Sequence, residues 1–261
     1  MKSLPLKTLL YEEEEGVIWV TLNRPQNGNM VNAEMAREIR RLYAIVKDNL
    51  NVKVVVLKGS EDTFCAGNED SVRPETPSEE TLSAIYEQRV TDYLASIDQP
   101  VIAAIYCDAL GQGLEIALAC DIRIASDVAL MGLPQLTYGH LPWDGGTQRL
   151  PRIVGIPWAT EMLLTGRIID TTEASRINLI HESVHKDDII ERSAKIAADV
   201  ASLAPIATRY VKEVISKGMD MTMDQGLRLE MDLNLLLQTT EDRSEGIASF
   251  LERRDPQFRG V

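Results

Sequence analysis

Apolar and polar residues recur along this chain in two rhythms, and their order predicts strands alternating with helices, then helices alone. Val17-Ile18-Trp19-Val20-Thr21-Leu22 reads as a strand that Asn23-Arg24-Pro25 ends. Ala33 to Asn49 carries Met35, Ile39, Leu42, Ile45 and Val46 at helical spacing. Lys53 to Lys58 is a second strand, with too little alternation for one face to be wet. Gly59 to Glu80 has little periodicity and many acids and prolines, which predicts a long loop. Glu80 to Ile97 repeats apolar residues at three and four and predicts one amphipathic helix. Val101 to Ile105 follows as a strand, then a turn through Gly111-Gln112-Gly113 into a short apolar helix. Further strands are expected around Ile122 to Ala125 and Ala129 to Gly132. From about Asp187 the pattern is helical, over Asp188 to Leu203, Pro205 to Lys217 and Thr222 to Leu237. Pro205 suits a first helical turn and Gly218 a C-terminal stop. The expected architecture is an α/β core with buried, largely parallel sheet, followed by a helical tail.

Composition narrows what such a fold does. With 261 residues and 44% hydrophobic content, the chain can bury one large core, or one core and a smaller appendage. Its longest apolar runs, such as Val101 to Ile105 and Ile116 to Cys120, are too short to span a bilayer. The start, Met1 to Pro5, lacks the apolar stretch of a secretory signal. Three cysteines make a poor disulfide framework and point to a reducing cytoplasm. A formal net charge of -13 argues against nucleic-acid or anionic-membrane partners, while leaving room for an anionic small molecule on a local basic patch. Of the three histidines, His181 and His185 are four apart, but the residues between them read as strand or loop, and no metal site is expected.

Three segments carry candidate chemistry. In Ala109 to Asp121, glycines at 111 and 113 permit a tight turn into a helix. The first N–H groups of that helix have no internal partner and can bind a developing negative oxygen. Glu115 lies close behind, among Leu, Ile, Ala and Cys, where desolvation would raise its pKa. A carboxyl so tuned beside an anion hole suits proton transfer next to a carbonyl. The plainer alternative is a structural ion pair of Glu115 with Arg123 or Arg152. In Gly132 to Pro151, Asp144 precedes Gly145-Gly146, a pattern that by itself reads best as a helix N-cap. Trp143 beside it either walls a pocket or fills core. In Phe64-Cys65-Ala66-Gly67-Asn68, small residues follow a strand, where open α/β sheets commonly bind ligands. Cys65 has no histidine in a recognisable pairing motif and is not expected to be a nucleophile.

Taken in order, these segments resemble the crotonase (enoyl-CoA hydratase/isomerase) superfamily over nearly the whole chain. The resemblance runs through Asn23-Arg24-Pro25 with Asn32-Ala33, Phe64-Cys65-Ala66-Gly67, and Pro100-Val101-Ile102-Ala103-Ala104. It continues through Ala109 to Glu115 with Cys120-Asp121, Gly145-Gly146-Thr147-Gln148-Arg149-Leu150 and Leu164-Thr165-Gly166. Thr240 to Gly246 and Phe250 to Arg254 complete it. The resemblance implies a ββα spiral core, taken as residues 1–200, and an all-helical trimerisation region, taken as 201–261. It also implies homotrimers, or hexamers made of two trimers.

For the site, the resemblance implies that the N–H groups of Asn68 and Gln112 form an oxyanion hole for a thioester carbonyl. Glu115 matches the first of two hydratase glutamates, and Arg24 and the Ala66 backbone match coenzyme A contacts. Coenzyme A would enter as part of an acyl-CoA substrate, with no separate cofactor. The second glutamate is here Gln135, which cannot shuttle a proton, and with Trp143 it is assigned to the substrate pocket. Asp144 stands where some enoyl- and dienoyl-CoA isomerases carry a catalytic acid, so Glu115 and Asp144 are expected to divide the acid and base work. Two further departures are Gln112, in place of a middle glycine, and the acids of Gly67-Asn68-Glu69-Asp70. The expected function is hydration or double-bond isomerisation of an unsaturated acyl-CoA. The alternatives are a CoA-independent β-diketone or ring-opening C–C hydrolase, and a catalytically degenerate assembly subunit.

Overall fold

The apolar strand that the sequence marks at 54–57 becomes the middle of a sheet because it has no polar face to offer water. The computed structural model describes residues 6–47, 49–60, 63–69, 83 and 86–261. In it, β1 (Leu9–Glu14), β2 (Val17–Leu22), β3 (Val54–Gly59), β5 (Val101–Ile105), β7 (Ile122–Ser126) and β10 (Glu182–Val184) form one sheet in that order. Only β1 with β2 is antiparallel, joined through Glu15 and Gly16, both at positive φ. The pairs from β2 to β10 are parallel.

A second sheet of short strands orders β4 (Thr63–Cys65), β6 (Asp108–Leu110), β8 (Leu130–Gly132) and β9 (Ile168–Asp170). The helix α3 (Gln112–Ala119) packs against β4 and β6, and all of its residues are buried. An apolar surface on every side makes it a core helix.

The large sheet is covered on both faces. Val55 and Leu57 enter the main core with Phe64, Leu114 and helix α1 (Ala33–Lys47). Val54 and Val56 point the other way, where Ile189, Ala197 and Ala201 of α7 (Ile189–Ala201) cover them. Between lie α2 (Thr91–Ala95), α4 (Gly146–Val154), α5 (Ile156–Thr165) and α6 (Thr171–Arg176). The tail consists of α8 (Pro205–Gly218), α9 (Met223–Leu237) and α10 (Glu241–Glu252).

Several expectations need correction. The helix expected over Glu80 to Ile97 is broken at 88–90, and α2 begins only at Thr91. The cause is distant in sequence: the Asp144 carboxylate accepts the N–H groups of Val90 and Thr91 and starts a new helix there. Residues 80–82 and 84–85 of that expectation lie outside the described residues. The loop expected over Gly59 to Glu80 holds strand β4, while 61–62 and 70–80 lie outside the described residues. Strands β6, β9 and β10 have three residues each, too few to show a period.

Candidate active site

Two loops at the carboxyl ends of neighbouring parallel strands build the centre of the site. β4 pairs with β6, Cys65 opposite Ala109, so the chain leaves both strands side by side. Each exit passes through a glycine at positive φ, Gly67 at 129° and Gly111 at 53°. A side chain on Gly111 would come within 3.6 Å of the Gly67 Cα, so the two turns adjoin. The residues that follow are Asn68 and Gln112. Neither N–H finds an acceptor among the described residues. The two expected oxyanion donors are therefore brought together from segments more than forty residues apart.

The 66–69 loop is fixed against the 24–31 loop. Ala66 donates to the Gly28 carbonyl, Val31 to Gly67 and Glu69 to Val31, each at 2.9 Å. Arg24 and Ala66 are thereby gathered beside Asn68. Arg24 is already engaged: its Nη2 meets Glu69 Oε1 at 2.5 Å and its Nη1 the Met30 carbonyl at 2.6 Å.

Glu115 is wholly buried on the first turn of α3, and the ion pair with Arg123 or Arg152 is not formed. Arg123 instead donates to the carbonyls of Leu179 and Cys120, and Arg152 faces Asp220. Glu115 Oε1 accepts the peptide N–H groups of Asp144 and Gly146, each at 2.8 Å. Among the described residues its Oε2 meets only the Gln135 amide, donating from 3.4 Å. Burial pushes the Glu115 carboxyl up to about 7; the neighbouring Asp144 charge adds to this, and the two N–H donors and Arg149 oppose it. Gly146 has to be small, since a Cβ there would lie 3.1 Å from Glu115 Oε1 and 3.0 Å from Leu133 Cδ1 and Pro142 Cβ.

Asp144 is also wholly buried, but it does not cap the helix that follows it. Gly145, at φ 108°, is the N-cap of α4 and makes no side-chain cap. The Asp144 carboxylate turns back to α2, accepting Val90 N–H at 3.0 Å, Thr91 N–H at 3.3 Å and the Thr91 hydroxyl at 2.9 Å. Gln112 Nε2 donates to its Oδ2 at 2.8 Å. Burial raises its pKa while these donors oppose the rise. Gln135 lies half-buried on the 3-10 turn Pro134–Tyr138, and half-buried Trp143 adjoins Asp144 in sequence.

Val90, Thr91 and Arg149 were not anticipated as neighbours of the site. For Val90 and Thr91 the sequence signal was the helical expectation over 80–97, which pointed away from a break, and Arg149 appeared only within the Gly145 to Leu150 segment of the resemblance. Cys65 lies below the hole with its thiol toward the Gly67 carbonyl, and burial pushes it up to about 12, so it is no nucleophile. His181 and His185 flank β10; each accepts a peptide N–H, from Arg123 and Asp187. Among the described residues, no group of three or more His, Cys, Asp or Glu could hold a metal ion. None of the described helices is long and apolar enough to cross a membrane.

Residues 12–261 match the family described as enoyl-CoA hydratase/isomerase. A solved structure of an enoyl-CoA hydratase from Bacillus anthracis superposes with a TM-score of 0.94 at 34% identity, covering 98% of this chain and 100% of that one. The (E)-benzylidenesuccinyl-CoA hydratase of Thauera aromatica is 37% identical, over 96% of this chain and 98% of its own. The crotonyl-CoA hydratase of Syntrophomonas wolfei is 34% identical, over 97% and 98%.

Proposed function

This chain belongs to the enoyl-CoA hydratase/isomerase family, and from that premise we propose that it adds water to, or shifts the double bond of, an unsaturated acyl-CoA. One observation carries the reading. Glu115, with a pKa pushed up to about 7, has one oxygen fixed by two peptide N–H groups and the other facing only an amide, directly behind a pair of N–H donors.

The thioester oxygen would accept the N–H groups of Asn68 and Gln112, which gain strength as it takes negative charge in a dry site. In hydration, Glu115 Oε2 takes a proton from water as the hydroxyl oxygen bonds to the β-carbon, and then returns that proton to the α-carbon of the enolate. In isomerisation, the same oxygen removes a proton from the γ-carbon and returns one to the α-carbon. Either way the carboxyl ends as it began, and a pKa near the working pH favours both directions of transfer.

Gln135 cannot ionise, so it orients Glu115 through its amide. Asp144 was expected to share the proton work. Its oxygens already hold four donor groups from α2 and Gln112, which supports a different role. Its peptide N–H holds Glu115 in place, and its charge raises the Glu115 pKa. Arg24 and the Ala66 backbone are the groups we assign to coenzyme A, with Glu69 competing for the guanidinium.

We also assign the tail to self-association, as a trimer or a pair of trimers. Val211 and Ile215 on α8, Met219 just after it, and Met223, Leu227, Met231 and Leu235 on α9 recur every four residues and are exposed. Repeats at that spacing form ridges that pack into another helix's grooves.

The test is binding, then turnover. Coenzyme A and but-2-enoyl-CoA are expected to raise the melting temperature in proportion to the logarithm of their concentration, and Glu115→Gln to bind but not turn over. No stabilisation by any thioester at millimolar concentration would overturn the reading in favour of the CoA-independent hydrolase.

A further inference from the structure

Beyond its backbone N–H, Gln112 stands out in the sequence as a long polar residue where the family resemblance implies a glycine. In the fold its side chain is wholly buried. Its Nε2 donates twice, to the Gln88 carbonyl and to Asp144 Oδ2, each at 2.8 Å. One amide therefore ties together three segments: the start of α3, the 88–91 stretch that opens α2, and the turn before α4.

Each segment carries part of the site. The start of α3 supplies the Gln112 N–H and, on the same turn, Glu115. The 90–91 stretch supplies donors to Asp144. The turn before α4 supplies the two peptide N–H groups that hold Glu115. A glycine at 112 would leave the Gln88 carbonyl and one Asp144 oxygen without this donor in a buried place, and such groups then move to find another.

Resting on the assignment of Glu115 as the proton carrier, we propose that Gln112 is a positioning residue for this reaction. Its side-chain amide clamps Asp144, and through the Asp144 turn it sets Glu115 relative to the oxyanion N–H that the same residue carries. The link is short. Movement of Asp144 displaces its own N–H from Glu115 and pulls on the residue that supplies the hole.

Other charges face this pair. Arg149 Nη1 donates to the Asp144 carbonyl at 3.1 Å and to the Thr91 hydroxyl at 2.8 Å. Arg89 Nε lies 3.7 Å from Asp144 Oδ1, and Asp92 pairs with both arginines. These groups stay when Gln112 is replaced, so a changed pH profile reports the lost clamp. Without that donor Asp144 protonates more readily and less negative charge faces Glu115, which lowers the pH at which Glu115 ionises, while a displaced Asp144 N–H raises it.

The experiment compares full-length wild type, Gln112→Met, Gln112→Glu and Glu115→Gln on but-2-enoyl-CoA across pH. Gln112→Met is expected to lower kcat roughly 10- to 100-fold, the scale of a small misplacement of reacting groups. KM should stay within about threefold, and the ionisation attributed to Glu115 should move away from its wild-type position by at least about half a unit. Gln112→Glu should recover part of the rate at low pH, where its protonated carboxyl donates to Asp144, and lose it as pH rises. If Gln112→Met does not fold, that pH response of Gln112→Glu decides, since a merely structural role predicts a profile parallel to wild type. Wild-type kcat and profile in a folded Gln112→Met, with Glu115→Gln inactive, overturn the clamp alone. Wild-type turnover by Glu115→Gln overturns the underlying reading, and the clamp with it.

Discussion

The neighbourhood of Glu115 and the tail helix α9 show opposite ways of handling awkward side chains. Around Glu115, two carboxylates with no exposure are held by peptide N–H groups, a hydroxyl and amides from the same chain. In α9 no residue is buried, and Met223, Leu227, Met231 and Leu235 face outward although the helix is well begun by a Thr222–Gln225 capping box. The first region satisfies costly polar groups internally. The second leaves favourable apolar area unused, which a partner surface would bury. The carboxylates of the site are thus satisfied within one chain, and the tail offers the face that we assign to self-association.

The strongest break in that comparison is Glu115→Gln. It keeps an acceptor for the Asp144 and Gly146 N–H groups but removes the exchangeable proton, so kcat should fall on the order of 10³-fold with thioester binding retained. Steady-state kinetics with parallel calorimetry checks both halves. The same variant sharpens the stability side. An acid whose pKa is raised on folding binds its proton more tightly in the native state, so its contribution falls as pH rises from the unfolded glutamate range to about 7. For Glu115 that loss is roughly 3 kcal/mol. Urea unfolding at pH 5 and 8 should therefore show wild type losing more stability than Glu115→Gln over this range.

Gly113→Ala comes next. The new Cβ would be driven into the Cys65 carbonyl, backbone against backbone, beneath the hole. Overpacking of this kind costs on the order of 3 kcal/mol, and a melting curve reads it directly. On the tail side, Leu227→Glu with Met231→Glu should reduce the mass in solution to that of a monomer while far-UV circular dichroism is kept. The smallest effect concerns Arg24. Glu69→Gln releases its guanidinium from a half-buried ion pair, and coenzyme A affinity should rise about twofold to fivefold.

Where the fold was legible, the reason was length. β2, β3 and β5 are long enough to show as apolar runs and the helices from 189 on to express a period, and they lie where the pattern of residues puts them. Of the second sheet only β8 was legible, because the other three-residue strands carry no period. The N–H groups that open α3 could be placed from the glycine turn at 111, since a positive φ is a local property, whereas Asn68 was placed by the family resemblance alone. The bonds that tune Glu115 and Asp144 could not. Glu115 is set by a turn 29 to 31 residues later, and Asp144 by a helix start 53 to 54 residues earlier. Local pattern made Asp144 an N-cap and 80–97 one helix. A single long-range carboxylate contact overturned both.

The measurement that tests the central claim most directly is exchange of the α-protons of butanoyl-CoA in deuterium oxide, followed by proton NMR. It asks only whether the enzyme makes and quenches a thioester enolate, independent of the natural acyl group. The account predicts exchange catalysed by wild type and abolished in Glu115→Gln that still binds the thioester. Exchange at the wild-type rate in Glu115→Gln, or none in a wild type that binds butanoyl-CoA, would contradict it.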